Sequence, residues 1–184
     1  MSGTKKTYKL NVKNYFDFFG IEEKFNISVR SITNSYKKIT AALKEDALNA
    51  DLPNKIIIQD KLMFADDALK TLINPLDRAL YIIKSHNPDI SIQDSLKIEH
   101  YSICNELREE LHNCISEEDV DLFQSNLKEQ SEFIIQLIGT NIDDHKNYEA
   151  AASLIATWYE LHYLYEESKN RKQQMQDGIV FVSF

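Results

Sequence analysis

Val29, Ile32, Tyr36, Ile39 and Leu43 recur at steps of three, four, three and four residues. That spacing gathers five apolar side chains on one side of a helix, whereas a strand sorts its side chains every second residue. The pattern resumes after Pro53 with Ile57, Leu62, Ala65, Ala68, Leu69 and Leu72. Two striped helices a few residues apart imply an antiparallel hairpin that buries both stripes. Four Gly and three Pro in 184 residues leave few means of making the tight turns of a sheet-rich fold. The spacing therefore predicts an all-α chain.

The flanks extend this reading. Asn14–Gly20 (N-Y-F-D-F-F-G) is a short aromatic segment with Gly20 as a helix stop. Ser28 suits the N-cap of the helix from Val29, and Pro53 suits a helix start. Residues 76–85 read as one more short helix, and Asn87-Pro88-Asp89 as a turn that ends the first domain. Longer helices follow: Ser95 to Ile115, Ser116 to Ile138 with Gly139 as its stop, and Asn147 to Gln176. Ser116 with an acid three residues on resembles a capping box. Three antiparallel helices with short loops make a bundle. The expected organisation is a disordered leader (1–13), a helical hairpin domain with flanking short helices (14–87), a linker (88–94), a three-helix bundle (95–177) and a packed or frayed tail (178–184).

Composition narrows the function. A hydrophobic content of 43% supports a real core, while a net charge of -8 disfavours a nucleic-acid partner. No apolar run approaches the ~20 residues that span a bilayer, so no membrane association is expected. Cys104 and Cys114 lie in one predicted helix, ~15 Å apart, too far to bridge; reduced thiols and a cytoplasmic location are expected. No nucleophile–base pair or Gly-rich phosphate loop is visible, and the five His are scattered. An enzyme is therefore not expected, and neither a cofactor nor a metal site is expected. Trp158, Tyr159, Tyr163 and Tyr165 on the last helix are expected to pack.

Four segments carry a resemblance. They are Asn14-Tyr15-Phe16-Asp17-Phe18-Phe19-Gly20-Ile21, the run Tyr36-Lys37-Lys38-Ile39, the stretch Ala68 to Tyr81 (A-L-K-T-L-I-N-P-L-D-R-A-L-Y), and Glu106-Leu107-Arg108-Glu109-Glu110-Leu111. In order and spacing, the chain resembles the HscB-type (Jac-type) J-domain co-chaperones of iron–sulfur cluster assembly. The third segment matches every fixed position of that family's A-x-x-T-L-x-x-P-x-x-R-A-x-Y pattern. The resemblance covers nearly all of residues 14–177. It implies a J-like first domain that contacts a DnaK/HscA-type chaperone, and a bundle that holds an IscU-type scaffold protein. For a eukaryotic source it implies a mitochondrial-type organelle.

In J domains the turn after the second helix carries His-Pro-Asp, which engages the chaperone and stimulates its ATP hydrolysis. The aligned residues here are Lys44-Glu45-Asp46. Without Pro, the helix is free to run on to about Leu48. The resemblance implies a chaperone-binding set of Lys37, Lys38, Lys44, Glu45 and Asp46, with ATPase stimulation in doubt. It implies a scaffold-binding set of Tyr101, Ser102, Asn105, Glu106, Glu109, Asn113, Tyr159 and Glu160. Tyr101, Ser102 and Asn105 stand where the family shows Leu, Met and Leu, and each lost apolar side chain weakens an interface by up to ~2 kcal/mol. A silent J-like adaptor that binds without stimulating ATPase activity is the alternative.

Overall fold

The computed structural model describes residues 13–95 and 98–177, apart from the side chains of residues 98–101. Most of the expected leader and the whole expected tail lie outside the described residues. The helices are α1 (Tyr15–Phe19), α2 (Val29–Asn49), α3 (Leu52–Ile73), α4 (Pro75–His86), α5 (Ile98–Asn113), α6 (Glu117–Asp143) and α7 (Tyr148–Gln176). A single 3-10 turn at Gln93–Ser95 precedes α5. The fold is all-α, as the sequence predicts, with no strand among the described residues. The chain divides into two compact units between Ile82 and Ile83, inside α4. The Asn87-Pro88-Asp89 turn begins as that helix ends.

In the first unit, α2 and α3 form the hairpin, and α1 packs on both. Ile32 and Thr40 on α2 and Ala65, Ala68 and Leu72 on α3 are buried, the small alanines allowing close helix approach. The Thr40 hydroxyl donates to the Tyr36 carbonyl at 2.8 Å, so its burial leaves no donor unmet. α1 begins at an Asn14 cap and ends at Gly20, whose φ of 62° lies in the left-handed region that glycine tolerates. Phe16 and Phe19 from α1 are buried. The Tyr15 N–H donates to the Tyr81 hydroxyl at 2.9 Å, and the two rings stack at 4.4 Å.

The junction of α3 and α4 explains the long sequence pattern. Asn74 ends α3 and starts α4: its side chain accepts from the Leu76 N–H at 2.9 Å. Pro75 then occupies the first helical position, where its missing N–H costs nothing. Arg78, only 5% exposed, donates to the Leu72 carbonyl, one of the groups that the end of α3 leaves open. Its guanidinium lies 5.2 Å from the centre of the Phe25 ring. Ala68, Leu72 and Ala79 are buried. Thr71 apart, the fixed positions of the pattern are therefore positions that the packing or the helix junction needs.

The second unit has a core of Leu107, Leu111, Cys114, Val120, Phe123, Leu127, Leu161 and Leu164. Ser116 and Asp119 close a reciprocal capping box at the start of α6. Gln176, Lys172 and Ser168 on α7 meet Glu117, Asp121 and Gln124 on α6 at 2.9, 2.5 and 2.9 Å, which aligns the two helices antiparallel. Arg171 on α7 donates to the His112 and Cys114 carbonyls, both at 2.7 Å, and so clasps the end of α5.

Three expectations are corrected here. Gly139 does not stop α6: it is buried within the helix, which continues to Asp143. The Asn141 side chain donates to the Leu137 carbonyl inside that extension. α5 ends at Asn113, so Cys114 sits just past the helix rather than within it; both thiols are free and buried. The aromatics of α7 do not all pack. Trp158 is half-buried and stacks on His162 at 5.1 Å, but Tyr159 is 44% and Tyr163 61% exposed. The buried side of α7 passes through Ile155, Leu161, Leu164 and Ser168, and Tyr159 and Tyr163 fall off that stripe.

Candidate functional site

The five residues expected to contact a chaperone all lie on α2 and are all exposed. α2 is helical through Lys44, Glu45 and Asp46 and ends only at Asn49. The turn to α3 is then two residues, Ala50 and Asp51, and the Asp51 side chain caps α3 by accepting from the Asn54 N–H at 3.1 Å. Continuity of the helix decides what the tripeptide can present. Neighbouring residues turn by about 100° around the axis, so Lys44 and Asp46 stand about 160° apart. Lys37 and Lys44 share a face; Lys38 and Glu45 share the strip beside it; Asp46 lies on another flank of the helix. The three aligned residues do not form one surface.

A residue outside the expected set extends the first face. Arg30, Lys37 and Lys44 recur every seven residues and are all exposed, with exposed Ala41 between the last two. Among the described residues none of these three cations is ion-paired. The seven-residue spacing was available in the sequence, but only an unbroken helix makes it a row. On a neighbouring flank of α2, the Tyr36 hydroxyl donates to Asp66 on α3 at 2.8 Å. That bond holds the Tyr36 phenol above its usual pKa. Tyr36 thus belongs to the hairpin seam and not to the cation face.

On the second unit, Ser102, Glu106, Glu109 and Asn113 step by four, three and four along α5 and are all exposed. They form one outward polar stripe with two carboxylates. Tyr101 lies within α5, but its side chain is outside the described residues. Asn105 sits at the edge nearer α7, where it accepts from Arg108 at 3.2 Å. Arg108 also pairs with Glu160 on α7. Arg108 thereby brings together two expected site residues, Asn105 and Glu160, and commits Glu160 to a pair inside the unit. Burial pushes the nearby Cys104 thiol above its usual pKa, with the Glu160 carboxylate adding to the shift and Arg108 opposing it. A thiol held protonated is a poor nucleophile and ligand. Tyr159 rests edge-on against Trp158 at 5.5 Å and remains accessible. Tyr163, one turn further along, and Ile103 on α5, 46% exposed, are apolar surface residues that sequence reasoning missed. No group of three or more metal-ligating side chains is assembled among the described residues. No described helix is long and apolar enough to cross a membrane.

No family model matches the chain. It is 29% identical over 143 residues to a co-chaperone protein HscB homologue of Colwellia psychrerythraea, covering 72% of this chain and 79% of that protein. It is 22% identical over 148 residues to a co-chaperone protein HscB homologue of Burkholderia vietnamiensis, covering 77% of this chain and 84% of that protein. Its fold is similar to that of the human co-chaperone protein HscB, with a TM-score of 0.72 at 19% identity, over 88% of this chain and 83% of that one. Chaperone HscB from Vibrio cholerae gives a TM-score of 0.68 at 19% identity, over 88% of this chain and 99% of that one.

Proposed function

We propose, for a chain that is of the HscB type in both sequence and fold, that it is a co-chaperone delivering an IscU-type scaffold protein to a DnaK/HscA-type chaperone during iron–sulfur cluster assembly. In this reading the α2 face contacts the chaperone and the bundle holds the scaffold. The observation that carries it is the length of the match: 143 aligned residues exceed either compact unit alone, so the similarity runs through both. The cation row of Arg30, Lys37 and Lys44 suits an acidic partner. The stripe of Ser102, Glu106, Glu109 and Asn113, with Tyr159 and Tyr163 on α7, suits a partner with basic and apolar contacts. Asn105 is an edge residue oriented by Arg108, and Glu160 acts in this reading by holding Arg108 rather than by touching the scaffold.

The test is a single-turnover ATPase measurement with the DnaK-type chaperone and the scaffold of the same organism. Acceleration that requires both this chain and the scaffold is the expected result; its absence removes the delivery role. Titration of the scaffold into the chain by calorimetry tests the bundle separately, and a Glu106→Lys, Glu109→Lys double variant is expected to weaken that binding at least about tenfold.

A second reading has its own support. The unbroken helix through Lys44, Glu45 and Asp46 favours a silent adaptor that binds the chaperone and the scaffold but does not accelerate hydrolysis. A Lys44→His, Glu45→Pro double variant separates the two readings. Proline at 45 removes one helical N–H and clashes with the carbonyl four residues back, which ends α2 early and frees a loop. Activity gained by this variant means that the rest of the machinery is intact and that the parent chain is silent.

A further inference from the structure

The hairpin tip is apolar where the aligned tripeptide of J domains is polar and charged. Leu48, the penultimate residue of α2, is 78% exposed, and Leu52, the first residue of α3, is 74% exposed. Ile56, one turn along α3 from Leu52, is 49% exposed. Single exposed leucines are ordinary on protein surfaces, but three large aliphatic side chains within nine residues of one turn form a local patch. The hairpin does not need them: its buried contacts lie further down, at Ile32, Thr40, Ala65, Ala68 and Leu72, and its turn is closed by Asp51.

The patch continues the cation row. Leu48 lies four residues beyond Lys44, eleven beyond Lys37 and eighteen beyond Arg30, so all four fall on one strip of α2. A partner for this strip has an acidic ridge that ends in an apolar pocket. A second copy of this chain fits poorly, because a two-fold interface on the strip sets the three cations of one copy against those of the other. We infer that Leu48, Leu52 and Ile56 are the apolar anchor by which the α2 face holds the chaperone, in the place of the missing tripeptide. This inference rests on the chaperone contact proposed above and adds to it what does the holding. The cations set the rate of encounter and the tip sets the lifetime of the complex.

The test is binding kinetics with the ATP-loaded DnaK-type chaperone of the same organism. A Leu48→Ser, Leu52→Ser double variant is expected to dissociate at least about tenfold faster with little change in association rate. A Lys37→Glu, Lys44→Glu double variant is expected to associate more slowly and to lose its dependence on salt. Leu48→Met with Leu52→Met, which keeps the apolar area, is expected to retain binding, and the exposure of both positions keeps all these variants folded. If the parent chain binds the chaperone and the serine variant dissociates within about twofold of it, the anchor is overturned while the chaperone contact stands. If the parent chain does not bind at about 100 µM, both fall. If the serine substitutions instead turn a self-associating chain into a monomer, by sedimentation, with chaperone binding unchanged, the tip is a contact between copies and the inference is overturned.

Discussion

The two ends of α3 are built on opposite plans. At the C-terminal end the chain turns into α4 through Asn74 and Pro75, and Arg78 reaches back to the Leu72 carbonyl while covering Phe25. Tyr81, one turn further, receives the Tyr15 N–H and stacks on its ring. At the N-terminal end a two-residue turn and one capping carboxylate are flanked by leucines in solvent, Leu48 before and Leu52 after. The end that carries the long sequence pattern uses it for packing; at the other end, among the described residues, Leu48 and Leu52 are left in solvent. The first end is built for stability, and the second is the end on which the proposed chaperone contact rests.

Substitutions at the two ends sharpen the contrast. Arg78→Ala carries the largest expected effect: it leaves a buried carbonyl without its charged donor and uncovers Phe25, for about 3 kcal/mol. A drop of that size in the urea midpoint of the first unit checks it, and Arg78→Lys is expected not to restore it, since an ammonium lacks the planar fork. Tyr81→Phe is expected to cost about 1 kcal/mol by removing the acceptor of the Tyr15 N–H. The same end is sensitive to alkali. Burial raises the Tyr15 and Tyr81 phenols above their usual 10.0, so the stability that they contribute is full below pH 10.0 and is lost as pH rises through the folded values. Urea midpoints should fall as pH rises above 10.0 for the parent chain and less for Tyr81→Phe.

At the tip, Asp51→Ala is expected to remove the α3 cap for at most about 1 kcal/mol. The Leu48→Ser, Leu52→Ser variant is expected to stay within about 0.5 kcal/mol of the parent. A large loss of stability there would mean that the tip is part of the core, and would erase the contrast.

The architecture was legible because its signals are local. Stepping by three and four marked α2, an apolar face after Pro53 marked α3, and Ser28, Gly20 and Ser116 with Asp119 marked helix ends that need no distant partner. Gly139 was misread because a glycine stops a helix or passes through one according to what packs against it, and that packing is tertiary. The exposed pair Tyr159 and Tyr163 was hidden for a similar reason. The stretch from Trp158 to Tyr165 is so rich in apolar residues that it offers several stripes, and only the fold selects one. Of the candidate sites, the exposure of Lys37, Lys38 and Lys44 follows from the α2 pattern alone. That Asp46 stands on another flank follows only once α2 is known to be unbroken at Lys44. The pairing of Arg108 with Glu160, 52 residues apart, leaves no mark in either neighbourhood.

Arg171 reaches back 57 residues to the Cys114 carbonyl. While the chain is being synthesised from its N-terminus, α5 is made before the side chain that clasps its end. A chain stalled before Arg171 therefore lacks the side chain that clasps the end of α5.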